Sequence, residues 1–291
     1  MVEENKTPAT PTAAPAAPAQ GGNRGYQGGG NRGGFQGGNR GGPKRFNRNG
    51  PRRERPQREV VKEEWIPKTK LGIDVMAKKY ASIDDVLLSG RKIMEEEIIE
   101  FLVPNLATEF INVGQAKGKF GGGKRKISKP TQKVTREGSQ MSFGMIAVAG
   151  NKEGVIGLGF GKARETVPSR EKSVRNAKKD LIMIRRGCGD WGCFCGASHS
   201  IPFTTEGISG SVTVRLMPAP KGTGLVVEAE LKKMLELAGI KDVWSKTFGQ
   251  TKNKMNMMKA GYEALRKLQN VKLMPSVTEG RGIKDGGMSN E

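Results

Sequence analysis

The segment RRGCGDWGCFCGASHSIP, residues 185–202, gathers all three cysteines of a 291-residue chain and its single histidine. Cys188, Cys193, Cys195 and His199 stand at spacings of x4, x and x3. Three soft thiolates and one imidazole within so short a stretch match the Cys3His donor set of structural zinc. The Cys-x-Cys pair is tighter than the usual spacing of two to four residues and would draw both sulfurs from one turn. A second reading is a rigid Gly/Trp loop with reduced thiols, and both readings stay open. Nucleophilic catalysis is the weakest of the three, because no residue is evident that would orient His199 against Cys193 or Cys195, and the carboxylates are scattered. The chain therefore reads as no enzyme, with no small-molecule substrate.

A loop of this composition has no core of its own, so folded elements must hold it on both sides. Upstream, the meander TQKVTR, turn EGSQ, MSFGMIAVAG, turn NKEG and VIGLGFGKA predicts three antiparallel strands with turns at Gly138 and Gly154. SREKSVRNAKKDLIMI predicts a helix with Val174, Ala177, Leu181 and Ile184 on one face and Arg170, Lys172, Arg175, Lys178 and Lys179 on the other. Downstream, ISGSVTVRLMPAP predicts a strand, LVVEAELKKMLELAG a helix, IKDVWSKTFG a strand and TKNKMNMMKAGYEALRKL a closing helix. Before the meander, SIDDVLLSG and IMEEEIIEFLVP predict short helices, with Ser82 as an N-cap. The fold class is α+β. The expected organisation is an Arg/Gly-rich disordered tail (1–62), a helical extension (63–108), a first domain (109–186) with a basic insertion (114–130), a second α/β domain (187–270) and a flexible tail (271–291).

Charge sets the class of partner. Lys and Arg number 50 against 29 Asp and Glu, a formal charge of +21. Self-repulsion of that size opposes compactness unless a polyanion neutralises it, and nucleic acid is the natural one. No apolar run is long enough to span a membrane, so membrane binding is not expected, and MVEENKTPATPTAAPAAPAQ has no signal-peptide core, which predicts a cytoplasmic protein with reduced thiols. In the tail, Arg24, Arg32 and Arg40 recur at an interval of eight among glycines, with Tyr26, Phe35 and Phe46 as stacking rings. In the insertion, Lys117, Lys119, Lys124, Arg125, Lys126 and Lys129 have no apolar periodicity and read as a mobile, phosphate-pairing loop.

Two glycine motifs remain. VIGLGFGK alternates Gly157, Gly159 and Gly161 with Ile156, Leu158 and Phe160, which gives a strand a bare face open to a packed helix or to a sugar-phosphate chain. It is not a nucleotide loop, because neither G-x-x-x-x-G-K-[ST] nor G-x-G-x-x-G is present. In PAPKGTG, Lys221 and Gly222 precede a helix and could offer N–H groups to a phosphate, or form a plain turn.

EGSQMSFGMIAVAGNKEGVIGLGFGKA, RRGCGDWGCFCGASHSIPF, SGSVTVRLMPAPKGTGLV and LAGIKDVWSKTFGQT, in that order, resemble the small-subunit ribosomal protein S-five family in its archaeal form. The resemblance runs from about residue 63 to Leu268. It implies a first domain like a double-stranded-RNA-binding fold (three-stranded antiparallel sheet plus helix) and a second that is a two-layer α/β sandwich. It also implies a place in the small subunit on ribosomal RNA, beside small-subunit proteins four, eight and three, near the channel by which messenger RNA enters, with roles in subunit assembly and decoding accuracy. Carried over by position, the contact candidates are Arg136, Gly138 and Phe143, then Gly157, Gly159, Gly161, Lys162 and Arg164. Ser139 and Gln140 stand where the family carries basic residues after the hairpin glycine, and the 114–130 insertion is an addition. The rival is a free-standing RNA chaperone acting through the Arg/Gly-rich tail.

Overall fold

A computed structural model describes residues 65–115 and 125–286. Three short helices come first: α1 (Lys70–Met76), α2 (Ile83–Leu88) and α3 (Glu97–Leu102). Ser82 caps α2 in a reciprocal box with Asp85, which fixes that start as the sequence predicts, whereas α1 was not foreseen. Then follow β1 (Ala107–Phe110), β2 (Lys129–Thr135), β3 (Gly138–Gly150), β4 (Val155–Ala163), α4 (Thr166–Lys179), β5 (Leu181–Met183) and β6 (Arg185–Arg186). Strand β3 is long enough to take two partners along one edge, β2 against residues 138–144 and β1 against 147–150, while β4 holds its other edge and β5 follows β4.

The predicted meander is present, with a tighter first turn. Gly138 already pairs with Thr135, so Arg136 and Glu137 alone form the tip, and the positive φ of Gly138 (+116°) permits the reversal. The predicted helix ends earlier than its apolar stripe suggested. It stops at Lys179, and Leu181–Met183 pair with β4 instead, because that run completes the sheet edge over a buried cluster containing Leu71, Ile98 and Val155.

The faces of the first sheet differ by side-chain size, as the two-residue period demands. Ile146, Val148 and Ile156 point to one side and enter a core shared with Leu231, Leu235 and Leu265. Ala147 and Ala149 point to the other side, with the three glycines of β4, and α4 lies there. A Cβ on Gly159 would stand 2.1 Å from the Ala177 nitrogen and the Ser173 carbonyl, and one on Gly161 2.3 Å from the Ser169 carbonyl. The helix contributes small residues in return: Ser169, Ser173 and Ala177 are its buried positions. Ser169 Oγ has the carbonyls of Phe143 (2.8 Å) and Gly161 (3.1 Å) within reach of its one proton, so the buried hydroxyl is not stranded by the close approach.

After residues 187–204 come β7 (Thr205–Ser209), β8 (Val212–Pro218), β9 (Leu225–Val226), α5 (Ala229–Leu237), β10 (Val243–Phe248), α6 (Lys254–Gln269), α7 (Pro275–Gly280) and β11 (Lys284–Asp285). The second sheet has the order β7-β8-β10-β9 and is covered on one face by α5 and α6. What read as one strand at 208–220 is a hairpin, and Leu225–Val226 form a strand before α5 begins. Beyond Asn270 the chain is not loose throughout: β11 pairs with β6, and Arg185 Nε lies 2.5 Å from Asp285.

Candidate metal centre and nucleic-acid interface

The cysteine loop is closed at its base by reciprocal backbone bonds between Gly187 and Ser200 (2.9 and 3.1 Å). Two other segments clamp it. Cys188 N–H donates to the Arg281 carbonyl (3.0 Å), the Arg281 guanidinium donates back to Gly189 (3.2 Å), and Lys241 N–H donates to the His199 carbonyl (2.8 Å).

Within this frame, one ligand atom each from Cys188, Cys193, Cys195 and His199 lies within 4.8 Å of the others. Zn–S bonds of about 2.3 Å imply tetrahedral ligand separations of roughly 3.8 Å, so an ion would need a contraction of about 1 Å at the widest pair. Cys193 Sγ to His199 Nε2 already measures 3.8 Å. His199 is buried, and its Nδ1 sits 2.8 Å from Asp242 Oδ2. A carboxylate facing Nδ1 accepts a hydrogen bond from the N–H there and leaves the Nε2 lone pair toward the thiols, the arrangement that orients ligating histidines.

The thiols are differentiated. Burial, reinforced by the neighbouring Cys193 and Cys195, pushes the Cys188 thiol up to about 11. Hydrogen bonding from the Lys221 backbone N–H and then from Cys195 lowers Cys193 to about 6. Cys193 therefore gives up its proton more readily than Cys188, which must lose one that burial holds in order to ligate.

Asp242 was not visible as a functional residue, standing 43 positions from His199 with no motif around it. Its other oxygen accepts the N–H groups of Gly222 (3.1 Å) and Gly224 (2.8 Å). Of the two readings of the KGTG turn this favours the plain turn, since its amides serve a carboxylate of the chain itself. Lys221 remains exposed, but Gly222 is no free donor.

The bare face of β4 is likewise occupied. Helix α4 fills it, so Gly157, Gly159 and Gly161 are buried seats for a helix and do not meet a sugar-phosphate chain. The cations of α4 are also partly spent: Arg175 pairs with Glu96 (2.8 Å), Lys178 with Glu100, and Arg170 stacks over Phe110.

The other candidates gather on the opposite face. Lys129 and Lys162 both stand opposite Gly144 in the register, so they project from one side, with Lys133 along the same strand. Residues 132–141 form a ribbon exposed on both faces with Arg136 at its tip, Phe143 is half-buried where it joins the sheet, and Arg164 is exposed just past β4. Arg125 and Lys126 lie at the base of the insertion, where Gly114 N–H donates to the Lys126 carbonyl (2.7 Å). Arg24, Arg32, Arg40, Lys117, Lys119 and Lys124 lie outside the described residues.

Phe160, on the same face as Lys162, leads into a cleft of about 870 Å³ that sequence reasoning missed. Arg91, Lys92, Lys179, Lys259, Arg266 and Lys267 line it, against the carboxylates of Asp180 and Glu263. Tyr262 forms part of its wall and donates to the Asp180 carbonyl (2.7 Å), and burial pushes its phenol well above the usual range. No helix among the described residues is long and apolar enough to cross a membrane.

Two family profiles match the chain: "Ribosomal protein S5, N-terminal domain" over residues 126–185 and "Ribosomal protein S5, C-terminal domain" over 207–281. Among curated proteins, "Small ribosomal subunit protein uS5" of Nanoarchaeum equitans is 45% identical over 229 residues, 79% of this chain and 98% of that protein. Its namesake in Methanobrevibacter smithii is 44% identical, covering 76% of this chain and 97% of the relative. That of Staphylothermus marinus is 44% identical, covering 70% and 88%.

Proposed function

The chain belongs to the ribosomal protein S5 family, and on that premise we propose that it is a non-enzymatic structural constituent of the small ribosomal subunit in the cytoplasm, held there by ribosomal RNA. The observation that carries the reading at the level of contact is the basic cleft between β4–β5 and α6, continuous with the Lys129–Lys162 face. A cleft with low-dielectric walls and six cations against two carboxylates focuses potential on a phosphate chain. The exposed ribbon, with Lys133 and Arg136, reaches out beside it, and Arg125, Lys126, Arg164 and Lys221 add charge on neighbouring loops. The Arg/Gly-rich stretch at 1–62 supplies further arginines, and a chaperone role would rest on that stretch alone.

The family profiles break between 185 and 207, which supports treating 109–186 and 187–270 as the two functional domains. A helix on one face of an antiparallel meander supports the double-stranded-RNA-binding likeness of the first, and helices on one face of a four-stranded sheet support the sandwich reading of the second. Assembly, decoding accuracy and a position beside proteins four, eight and three, near the path of incoming messenger RNA, complete the reading by family resemblance.

The test is the salt dependence of binding to small-subunit RNA. Each phosphate contact adds roughly 0.7–0.9 to the log–log slope. Replacing Lys259, Arg266 and Lys267 with Ala flattens it by about two if all three meet phosphate. An unchanged slope removes the cleft from the interface.

We also propose that Cys188, Cys193, Cys195 and His199 hold one structural zinc ion. The buried His199–Asp242 pair supports this over a metal-free loop of reduced thiols, since it aims Nε2 at the sulfurs. Zinc bound there would cross-link the loop to β10 through Asp242 and supply no reactive position, four protein ligands leaving none open.

A further inference from the structure

The same loop does something its ligands do not explain. Trp191 is 90% exposed and Phe194 91%, the most exposed of the large apolar side chains among the described residues. Both belong to a segment whose neighbours are pinned. Cys188 is buried, Asp190 accepts the Gly192 N–H (2.9 Å) and so shapes the turn that carries Trp191, and Cys193 and Cys195 converge on His199. Phe194 lies between those two cysteines, and its ring is exposed on the loop that they close. The rings are thus carried by a loop that is anchored on both sides.

Basic residues border the loop, and the side chains of Lys221 and Lys241 are exposed. Lys221 presents its backbone to the Cys193 sulfur, Lys241 donates to the His199 carbonyl, and Arg281 donates to Gly189. The only carboxylate on the loop itself is Asp190. A pocket on a protein partner would ask only for apolar rings. Exposed rings on a loop bordered by Lys221, Lys241 and Arg281 fit a ligand that is flat and anionic together, and an unpaired nucleobase on its phosphate backbone is that ligand.

We propose that Trp191 and Phe194 form a stacking platform for unpaired bases of RNA, separate from the phosphate-binding cleft. The platform takes its rigidity from the metal reading above, because a loop free to rearrange would have to order itself on binding.

Full-length protein is titrated with a short single-stranded RNA of mixed sequence, and the same RNA carrying 5-iodouridine is photo-crosslinked and the adducts mapped. Trp191→Ala and Phe194→Ala each weaken binding on the order of tenfold. They leave the salt slope unchanged, because no phosphate contact is lost. Trp191→Tyr and Phe194→Tyr restore binding, and crosslinks fall on residues 191 and 194. Wild-type affinity in both alanine variants with no crosslink at either position overturns the proposal. So does unaltered RNA binding with lost co-sedimentation with small subunits, which assigns the rings to a protein neighbour. Zinc content of the same samples separates the premises: metal-free protein whose alanine variants lose RNA keeps the platform and retires the zinc, and zinc-loaded protein indifferent to both alanines does the reverse.

Discussion

Cys195→Ser leaves three ligands and, on the zinc reading, takes the metal content of purified protein from one equivalent to none. The damage should stay local, because the core beneath is complete without the loop. Hydrogen exchange should quicken at 187–200 and, through His199 and Asp242, at the Gly222 and Gly224 amides, while β3 and α6 keep their protection. Unchanged exchange in metal-free protein would favour the reduced-thiol loop. Because zinc must displace the proton that burial holds on Cys188, apparent zinc affinity should keep rising with pH across the neutral range, towards the value of about 11 to which that thiol is pushed. A pH-independent affinity in competition with a chelator would contradict that. Glu230 gives a second acid-linked test. Burial alone would raise its carboxyl, but the Asn112 backbone and side-chain N–H groups and Lys233 hold it below its ordinary value of 4.5. Its contribution is therefore full above about pH 4.5 and is lost as pH falls through the depressed value. Denaturant unfolding at pH 7 and pH 4 should show Glu230→Gln less stable at neutrality and flatter with pH. The cysteines and His199 were legible from type and spacing, whereas Asp242 and Glu230 were not, because an aspartate or glutamate that finishes a site from another strand or helix carries no local signature.

The alternating glycines of β4 were legible as a bare face but not for what covers it. That was settled by Ser169, Ser173 and Ala177, the buried small residues of α4, of which only Ala177 stood on the apolar stripe read from the sequence. Gly159→Ala would put a methyl 2.1 Å from helix backbone atoms that cannot rotate away, so α4 must lift. The cost should exceed about 2 kcal/mol, the upper part of the range for overpacking. Gly138→Ala, whose methyl would meet nothing within 4 Å, should cost only about 1 kcal/mol, through its left-handed φ. Urea midpoints of the two variants decide it, and equal losses would mean that helix seating does not limit this strand. Short elements account for most of the differences between expectation and structure. Two or three residues such as Leu181–Met183 or Leu225–Val226 are strands only because a neighbour offers an edge, and their sequence is equally good as the end or start of the adjacent helix.

The cleft belongs to no single stretch of chain. Its cations come from residues 91–92, 179 and 259–267, so apart from Lys179 on the charged face of its helix they surface in sequence only as part of a +21 total, and they become a site when α6 packs beside β5. That excess has opposite consequences for the free and the bound protein. In the free protein the cations of the cleft face one another with few partners, although Arg91 reaches Asp74 at 3.0 Å and Arg266 reaches Glu263 at 3.7 Å. Both arginines are more than half exposed, and pairs held from so wet a side chain contribute little. Repulsion should therefore outweigh attraction, and added salt, which shortens the screening length to about 8 Å at physiological strength, should raise the melting temperature of the isolated protein. Affinity for RNA must move the other way, because salt competes with the phosphates for the same cations. A melting temperature that falls with salt would mean that ion pairs such as Arg175–Glu96 dominate the free state, and that its cations are already balanced before RNA arrives. A rising one, with RNA binding that weakens over the same range, is what a polypeptide completed by its polyanion requires.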